Sequence, residues 1–173
     1  MKSIFNLPHD YGTIKENLFS NKSINSLNVK DAQVYSKDFS KKSFTACFFS
    51  QIEFINCNFN FTTFRTSFFE FCTFKNTTFK DSNLQFSSFA GSSFECVSFK
   101  GSDLINLNFI GARIKQADFS DCDLSQSQFL SGILKYCNFK NCNLSETIFI
   151  NSIVKKLSFK QSNKRYAVFN KVN

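Results

Sequence analysis

Seven cysteines and one histidine are the residues of this sequence best suited to bind a metal or to act in nucleophilic catalysis. A zinc site needs closely spaced thiolates and imidazoles, and a nucleophile needs a base beside it. No two cysteines form a C-x-x-C pair, and the single histidine is His9. Glycine-rich nucleotide-binding motifs are also absent from the sequence. The sequence therefore predicts no enzyme and no metal or cofactor site.

Charged residues are the other candidates. The 173 residues include 21 Lys and Arg against 13 Asp and Glu, which gives a net charge of +8. Acidic residues concentrate only at Asp103, Asp118, Asp121 and Asp123. Because Asp is common in tight turns, we expect these four to occupy turn and outward positions rather than a contact site.

The elements that must position these residues repeat every five residues. Positions 14, 19, 24 and so on to 159 are thirty in number, and all hold Phe, Leu, Ile or Val. Neither a helix nor a strand has this period. Two residues earlier, from Cys47 to Leu157, nineteen of twenty-three positions hold small residues, six of them Cys. The chain must therefore bend every five residues around an apolar interior in which thiols fill space.

The number of sides follows from a second period. From Leu104 to Phe159 the large apolar position alternates between an aliphatic residue and Phe. A period of ten persists from coil to coil only if each coil has an even number of sides, and two sides would crowd the interior. The sequence thus predicts four sides, with every central residue from Phe44 to Phe159 buried.

Several units resemble the A-[D/N]-[L/F]-x-x consensus of the pentapeptide repeat proteins, among them ADFSD at 117–121 and CDLSQ at 122–126. The resemblance covers residues 13–160. It implies an all-β, right-handed quadrilateral β-helix of about seven coils. We expect an N-terminal cap at 1–12 and a basic tail or cap at 161–173. Polar residues at inward positions, such as Lys22 and Lys37, predict irregular first coils.

The resemblance also implies partners. Quinolone-resistance members of the family bind DNA gyrase or topoisomerase IV by imitating duplex DNA, often as dimers joined at their C-terminal ends. A DNA mimic needs an acidic surface, whereas this chain is basic. Protection of gyrase is therefore the alternative to our preferred interpretation, a scaffold that presents its flat faces to a protein.

Two adjacent sides are predicted to carry lysines at intervals of twenty residues, and these form a candidate interaction surface. They are Lys75, Lys115, Lys135 and Lys155 on one side and Lys80, Lys100, Lys140 and Lys160 on the other. Such rows keep a rod soluble, and they also suit an acidic partner or a phosphate backbone. Without interleaved aromatic residues or Arg forks, binding of nucleic acid would be weak and non-specific.

A third side is predicted to carry an apolar stripe, made of Ile110, Leu130, Ile150 and Phe169, for a dimer or a partner. Open strand edges at the last coil favour a homodimer through the C-terminal end. The apolar runs are too short for a transmembrane helix or a signal peptide. We therefore expect a cytoplasmic interaction protein without membrane contact.

Overall fold

The computed structural model describes residues 20–169, which contain thirteen strands, β1 to β13. Most of them contain only three residues. Their bounds in chain order are Ser23–Asn25, Asn28–Tyr35, Ser43–Thr45, Phe48–Ile55, Thr63–Arg65, Phe68–Glu70, Thr73–Lys75, Ser93–Glu95, Arg113–Lys115, Ile133–Lys135, Ile148–Phe149, Ile153–Lys155 and Val168–Phe169. The predicted cap at 1–12 lies outside the described residues.

The chain turns at every fifth residue through a left-handed backbone conformation. From Ser26 to Tyr166, each fifth residue has a φ between 46° and 74°, and only three of these residues are Gly. Such a φ costs a residue with a Cβ roughly 1–2 kcal/mol, so the stack must stabilise it. Part of this stabilisation comes from a backbone hydrogen bond to the next coil. Asn106 N, for example, donates to Ser125 O at 3.0 Å.

Residues twenty apart lie above one another, which confirms four sides per coil. Parallel pairs join Phe94 to Ile114, Ile114 to Leu134 and Leu134 to Val154. We name the sides by their inward central residues, taken in steps of twenty. Face A runs from Ile24 to Lys164, face B from Val29 to Phe169, face C from Val34 to Val154 and face D from Phe39 to Phe159. About seven coils result, and the all-β fold class is confirmed.

Phe rings dominate the interior. In face D, successive rings stack nearly parallel, with centroids 4.7–5.3 Å apart. Across the interior they meet the rings of face B edge to face, and Phe119 and Phe129 are 6.1 Å apart at 90°. Both geometries suit the ring quadrupole and add to the gain from burial. From Leu104 to Val154, the central residues of faces A and C are aliphatic, as the alternation in the sequence predicts.

The small inward residues connect successive coils by hydrogen bonds. The Ser127 hydroxyl donates to Leu104 O at 2.6 Å and accepts from Leu107 N at 3.1 Å. Cys122 Sγ contacts Phe99 O at 2.9 Å in the same way. Within residues 20–169, no buried side-chain nitrogen or oxygen lacks a partner. The apolar interior therefore tolerates these polar side chains, because each one has a hydrogen-bond partner.

The last coil departs from the predicted burial. Central residues are buried from Phe44 through Phe149, but Val154 is 46% exposed and Phe159 is only partly buried. No further coil of the described chain covers these two side chains. The prediction of burial is therefore wrong at the last two positions.

The described ends of the stack are regular. Residues 161–169 continue the coil, since Asn163 pairs with Asn143 and β13 pairs with β11. The boundary predicted at residue 160 thus falls inside the last described coil. At the other end, regular pairing with the next coil begins at Ser23, and the irregularity predicted for the first coils, which extend outside the described residues, stays a prediction.

Replacement of Phe99 by Ala should lower the free energy of unfolding by about 3–5 kcal/mol. Its side chain is fully buried and stacks on the rings of Phe79 and Phe119. Chemical denaturation followed by circular dichroism measures the change. Phe86→Ala is the matched control, because that ring is 59% exposed, and we expect an effect of about 0.5 kcal/mol or less. Equal losses at the two sites would contradict the packing described above.

Candidate interaction surface

The aspartates singled out in the sequence line the edge between faces D and A, where they close turns. Asp118 Oδ1 accepts from Ser120 N and from Asn138 Nδ2, both at 3.0 Å, and Asp123 makes the same two kinds of contact. Among the described residues, no group of three or more His, Cys, Asp or Glu is placed to hold a metal. His9 lies outside that part of the chain. The cluster is accounted for by its contacts within the stack.

All but one of the cysteines fill space in the interior. All seven lie within residues 20–169, and six are buried while Cys96 is exposed. Burial raises the pKa of the Cys72 and Cys142 thiols to about 12 and that of Cys137 to about 11. These thiols therefore stay protonated at neutral pH, and a protonated thiol is neither a good nucleophile nor a good metal ligand.

The first predicted lysine row lies on face C, and its members are exposed. Glu95 interrupts it and accepts a hydrogen bond from Lys115 Nζ at 2.8 Å. This bond lowers the pKa of the Glu95 carboxyl and raises that of the Lys115 ammonium. No carboxylate of residues 20–169 lies within ion-pair distance of Lys135 or Lys155. The upper part of face C therefore carries uncompensated positive charge.

The second predicted row lies on the adjacent face D, and it is also exposed. Here acidic residues are interspersed at the turns. Lys100 Nζ lies 3.8 Å from Asp121 Oδ2, and Asp81 occupies the same turn position two coils earlier. Ser120 stands between Lys100 and Lys140. Charge on face D is therefore more mixed than on face C.

Face B carries the apolar stripe. Ile110 and Ile150 are each 37% exposed, and Leu130 between them is half-buried. Phe169 does not belong to this row, because its position falls in the inward register. Its ring stacks on that of Phe149 with the centroids 4.8 Å apart, and it ends the interior column. The sequence-based assignment of Phe169 to the outward stripe is therefore corrected.

Face B is also uncharged over much of its length. Between Ser88 and Asn151, none of its outward positions and none of its turn positions toward face C holds a charged residue, while Glu146 lies at a turn toward face A. Below this stretch, exposed aromatic residues continue the apolar surface. The Phe71 ring lies over Gly91, where an added Cβ would come within 2.6 Å of it. Phe68 lies beside it in the same coil and is 40% exposed.

The structure adds two apolar residues that the sequence analysis missed. Ile133 and Ile153 occupy outward positions of β10 and β12 on face C, and Ile153 is 61% exposed. Ile133 borders a shallow groove of about 280 Å³, which Arg113 and Lys135 also line. Their signal lay on face C, in the position before the central residue, whereas the stripe was sought only on face B.

Comparison with known proteins agrees with this repeat. The family model for pentapeptide repeats matches eight copies, over residues 82–121 and 92–129. The same five-residue turn continues in the structure from Ser26 to Tyr166. The chain belongs to the pentapeptide repeat proteins. No curated protein matches it.

Solved structures of other pentapeptide repeat proteins are similar to this chain. HetL of the cyanobacterium Nostoc sp. strain PCC 7120, involved in regulating heterocyst differentiation, gives a TM-score of 0.52 at 10% identity, covering 90% of this chain and 92% of HetL. Trypsin-treated QnrB1, a plasmid-mediated fluoroquinolone resistance protein, gives 0.29 at 19% identity, covering 87% and 76%. Rfr23 of the cyanobacterium Cyanothece 51142 gives 0.32 at 14% identity, covering 91% and 99%. At 10% identity the likeness to HetL concerns the fold alone.

Within residues 20–169, no helix has the length and apolar character that crossing a bilayer requires.

Proposed function

We propose that this pentapeptide repeat protein is a non-catalytic interaction module that binds a protein partner through face B. The observation that carries the proposal is the outward row of Ile110, Leu130 and Ile150 on an uncharged stretch of surface. The interior columns fill the core without this row, so folding alone does not explain it. Contiguous apolar residues on an outer surface are typical of protein contact sites.

The distribution of pKa shifts supports a role without catalysis. Acid–base and nucleophilic catalysis need titratable groups whose pKa is shifted and which a substrate can reach. Within the described chain, the groups with large shifts are the buried thiols, such as Cys72 and Cys142. Small inward side chains lie in a closely stacked interior, which gives a substrate no access to them.

Charge ranks the alternative partners. A protein that imitates DNA approaches the cationic DNA-binding surface of a topoisomerase, and a net charge of +8 opposes that encounter. We therefore place DNA gyrase and topoisomerase IV second to another protein partner. The lysine rows on faces C and D support at most weak, salt-dependent and non-specific contact with nucleic acid. The cytoplasmic location expected from the sequence stays a prediction.

Capture of partners from nuclease-treated lysate of the native host tests the proposal. Tagged wild-type protein should retain a protein that Leu130→Lys loses, because the new ammonium would be buried in an apolar contact. Ser125→Lys is the matched control, since it places the same charge at the equivalent position of face A. Retention of the same proteins by Leu130→Lys would contradict a role for face B. Recovery of gyrase subunits alone would favour the alternative.

We also expect a homodimer through the C-terminal end. Val154 and Phe169 are 46% and 38% exposed there, and β12 and β13 are edge strands of the described chain. Stacking two such ends about a two-fold axis would cover both features. Light scattering at micromolar concentration should give twice the chain mass of 19.9 kDa. Val154→Lys should return the monomer while Leu130→Lys keeps the dimer. A monomeric wild-type protein would remove this expectation.

A further inference from the structure

The corner between faces B and C is apolar on both of its sides. Leu130 and Ile150 lie on face B, and Ile133 and Ile153 lie three residues further along the chain on face C. The turn residues between these pairs are Ser131 and Asn151. In the two preceding coils, the same corner holds Gly111 and Gly91. Because these turn residues are small, no large side chain separates the two faces. We call Ile110, Leu130, Ile150, Ile133 and Ile153 together the corner surface.

Positive charge borders the corner surface on one flank only. On face C the flank carries Arg113, Lys115, Lys135 and Lys155. Glu95 engages Lys115, but no carboxylate of the described residues pairs with Lys135 or Lys155. On the opposite flank, where face B meets face A, the turn residues over the same height are Asn106, Gln126 and Glu146, so this flank carries no positive charge. The surface is therefore complementary to a segment with apolar side chains along its length and carboxylates along one edge.

The spacing of the rows selects the shape of that segment. Successive residues of the corner surface are one coil apart, about 4.8 Å along the stack. A helix lying in this direction presents a new side chain every turn, about 5.4 Å. An extended strand presents one every second residue, about 6.7 Å. Over the two coils from Ile110 to Ile150, the side chains of the helix move out of register with the row by only about 1.2 Å. Those of the strand move out of register by about 3.8 Å, which is most of a coil.

We propose that face B and the neighbouring lysines of face C bind an acidic amphipathic helix of the partner, lying parallel to the stack along the corner surface. The apolar side of the helix packs on Leu130, Ile150, Ile133 and Ile153. Its acidic edge pairs with Lys135 and Lys155. This proposal rests on the proposed function and adds to it the chemistry of the partner.

A designed peptide tests the inference without knowledge of the partner. The probe is a labelled, Ala-based helix of about 20 residues, long enough to be helical alone, with Leu at i, i+4, i+7 and i+11 and Glu along one flank. Fluorescence anisotropy at low salt should show binding. A second peptide in which each Glu is replaced by Gln should bind about tenfold more weakly, because surface ion pairs contribute modestly and add along a row. Higher salt should reduce this difference.

Matched protein variants locate the contact. Replacing both Lys135 and Lys155 by Glu should weaken binding of the acidic helix by about tenfold or more, and should leave the Gln peptide little affected. The control replaces Arg65 and Arg165 by Glu, which makes the same change of net charge at the equivalent positions of face A, on the opposite side of the rod. Circular dichroism confirms that both variants fold as the wild type does.

Three results would overturn the inference: no binding of the acidic helix, equal loss in both charge variants, or displacement of the helix by a random-sequence DNA duplex at lower concentration than by unlabelled helix. The lysate experiment separates the two proposals. If Leu130→Lys loses the captured protein while the Lys135 and Lys155 variant keeps it, the proposed function stands and the acidic helix is wrong. If neither variant loses it, face B is not the binding surface.

Discussion

Parallel backbone pairing, in a register of twenty residues, determines where every other group of this molecule lies. It converts a period of five in the sequence into four columns that face inward and several rows that face outward. The inward columns bury the Phe rings at stacking distance, and the small inward residues close hydrogen bonds to the coil before. Because each coil also fixes the next left-handed turn, bulky residues such as Phe86 and Tyr136 occupy a conformation that usually favours glycine.

Much of this architecture is predictable from the sequence because the repeat is a strictly local signal. The inward register, the four sides, the aliphatic and aromatic columns, and the burial of six cysteines all follow from the identity of every fifth residue. The repeat does not indicate where stacking stops. Val154 obeys the pattern and yet is exposed, because burial depends on a following coil. Phe169 was assigned to the outer surface because Lys164 interrupts the apolar pattern before it. Backbone pairing nevertheless carries the inward register past Lys164 to Phe169.

The candidate surface was harder to predict than the fold. Ile110, Leu130 and Ile150 were visible as a row because they share one position of the repeat. Ile133 and Ile153 belong to another position, so they join the same surface only when the coil brings adjacent faces around a corner. The lysine rows were placed correctly on adjacent faces, but their different surroundings depend on contacts across coils. Glu95 compensates Lys115 and Asp121 approaches Lys100, whereas Lys135 and Lys155 have no carboxylate partner among residues 20–169.

The central claim of this account is that the inward columns stabilise the fold, whereas the outward row of face B is available for binding. Thermal unfolding of a variant with Ile110, Leu130 and Ile150 all replaced by Thr tests it most directly, since Thr keeps the β-branched shape of the two Ile residues and removes most of the apolar area. We predict a folded protein with a melting temperature within about 5 °C of the wild type. An unfolded chain, or a much larger fall in melting temperature, would show that this row is part of the core and would contradict the account.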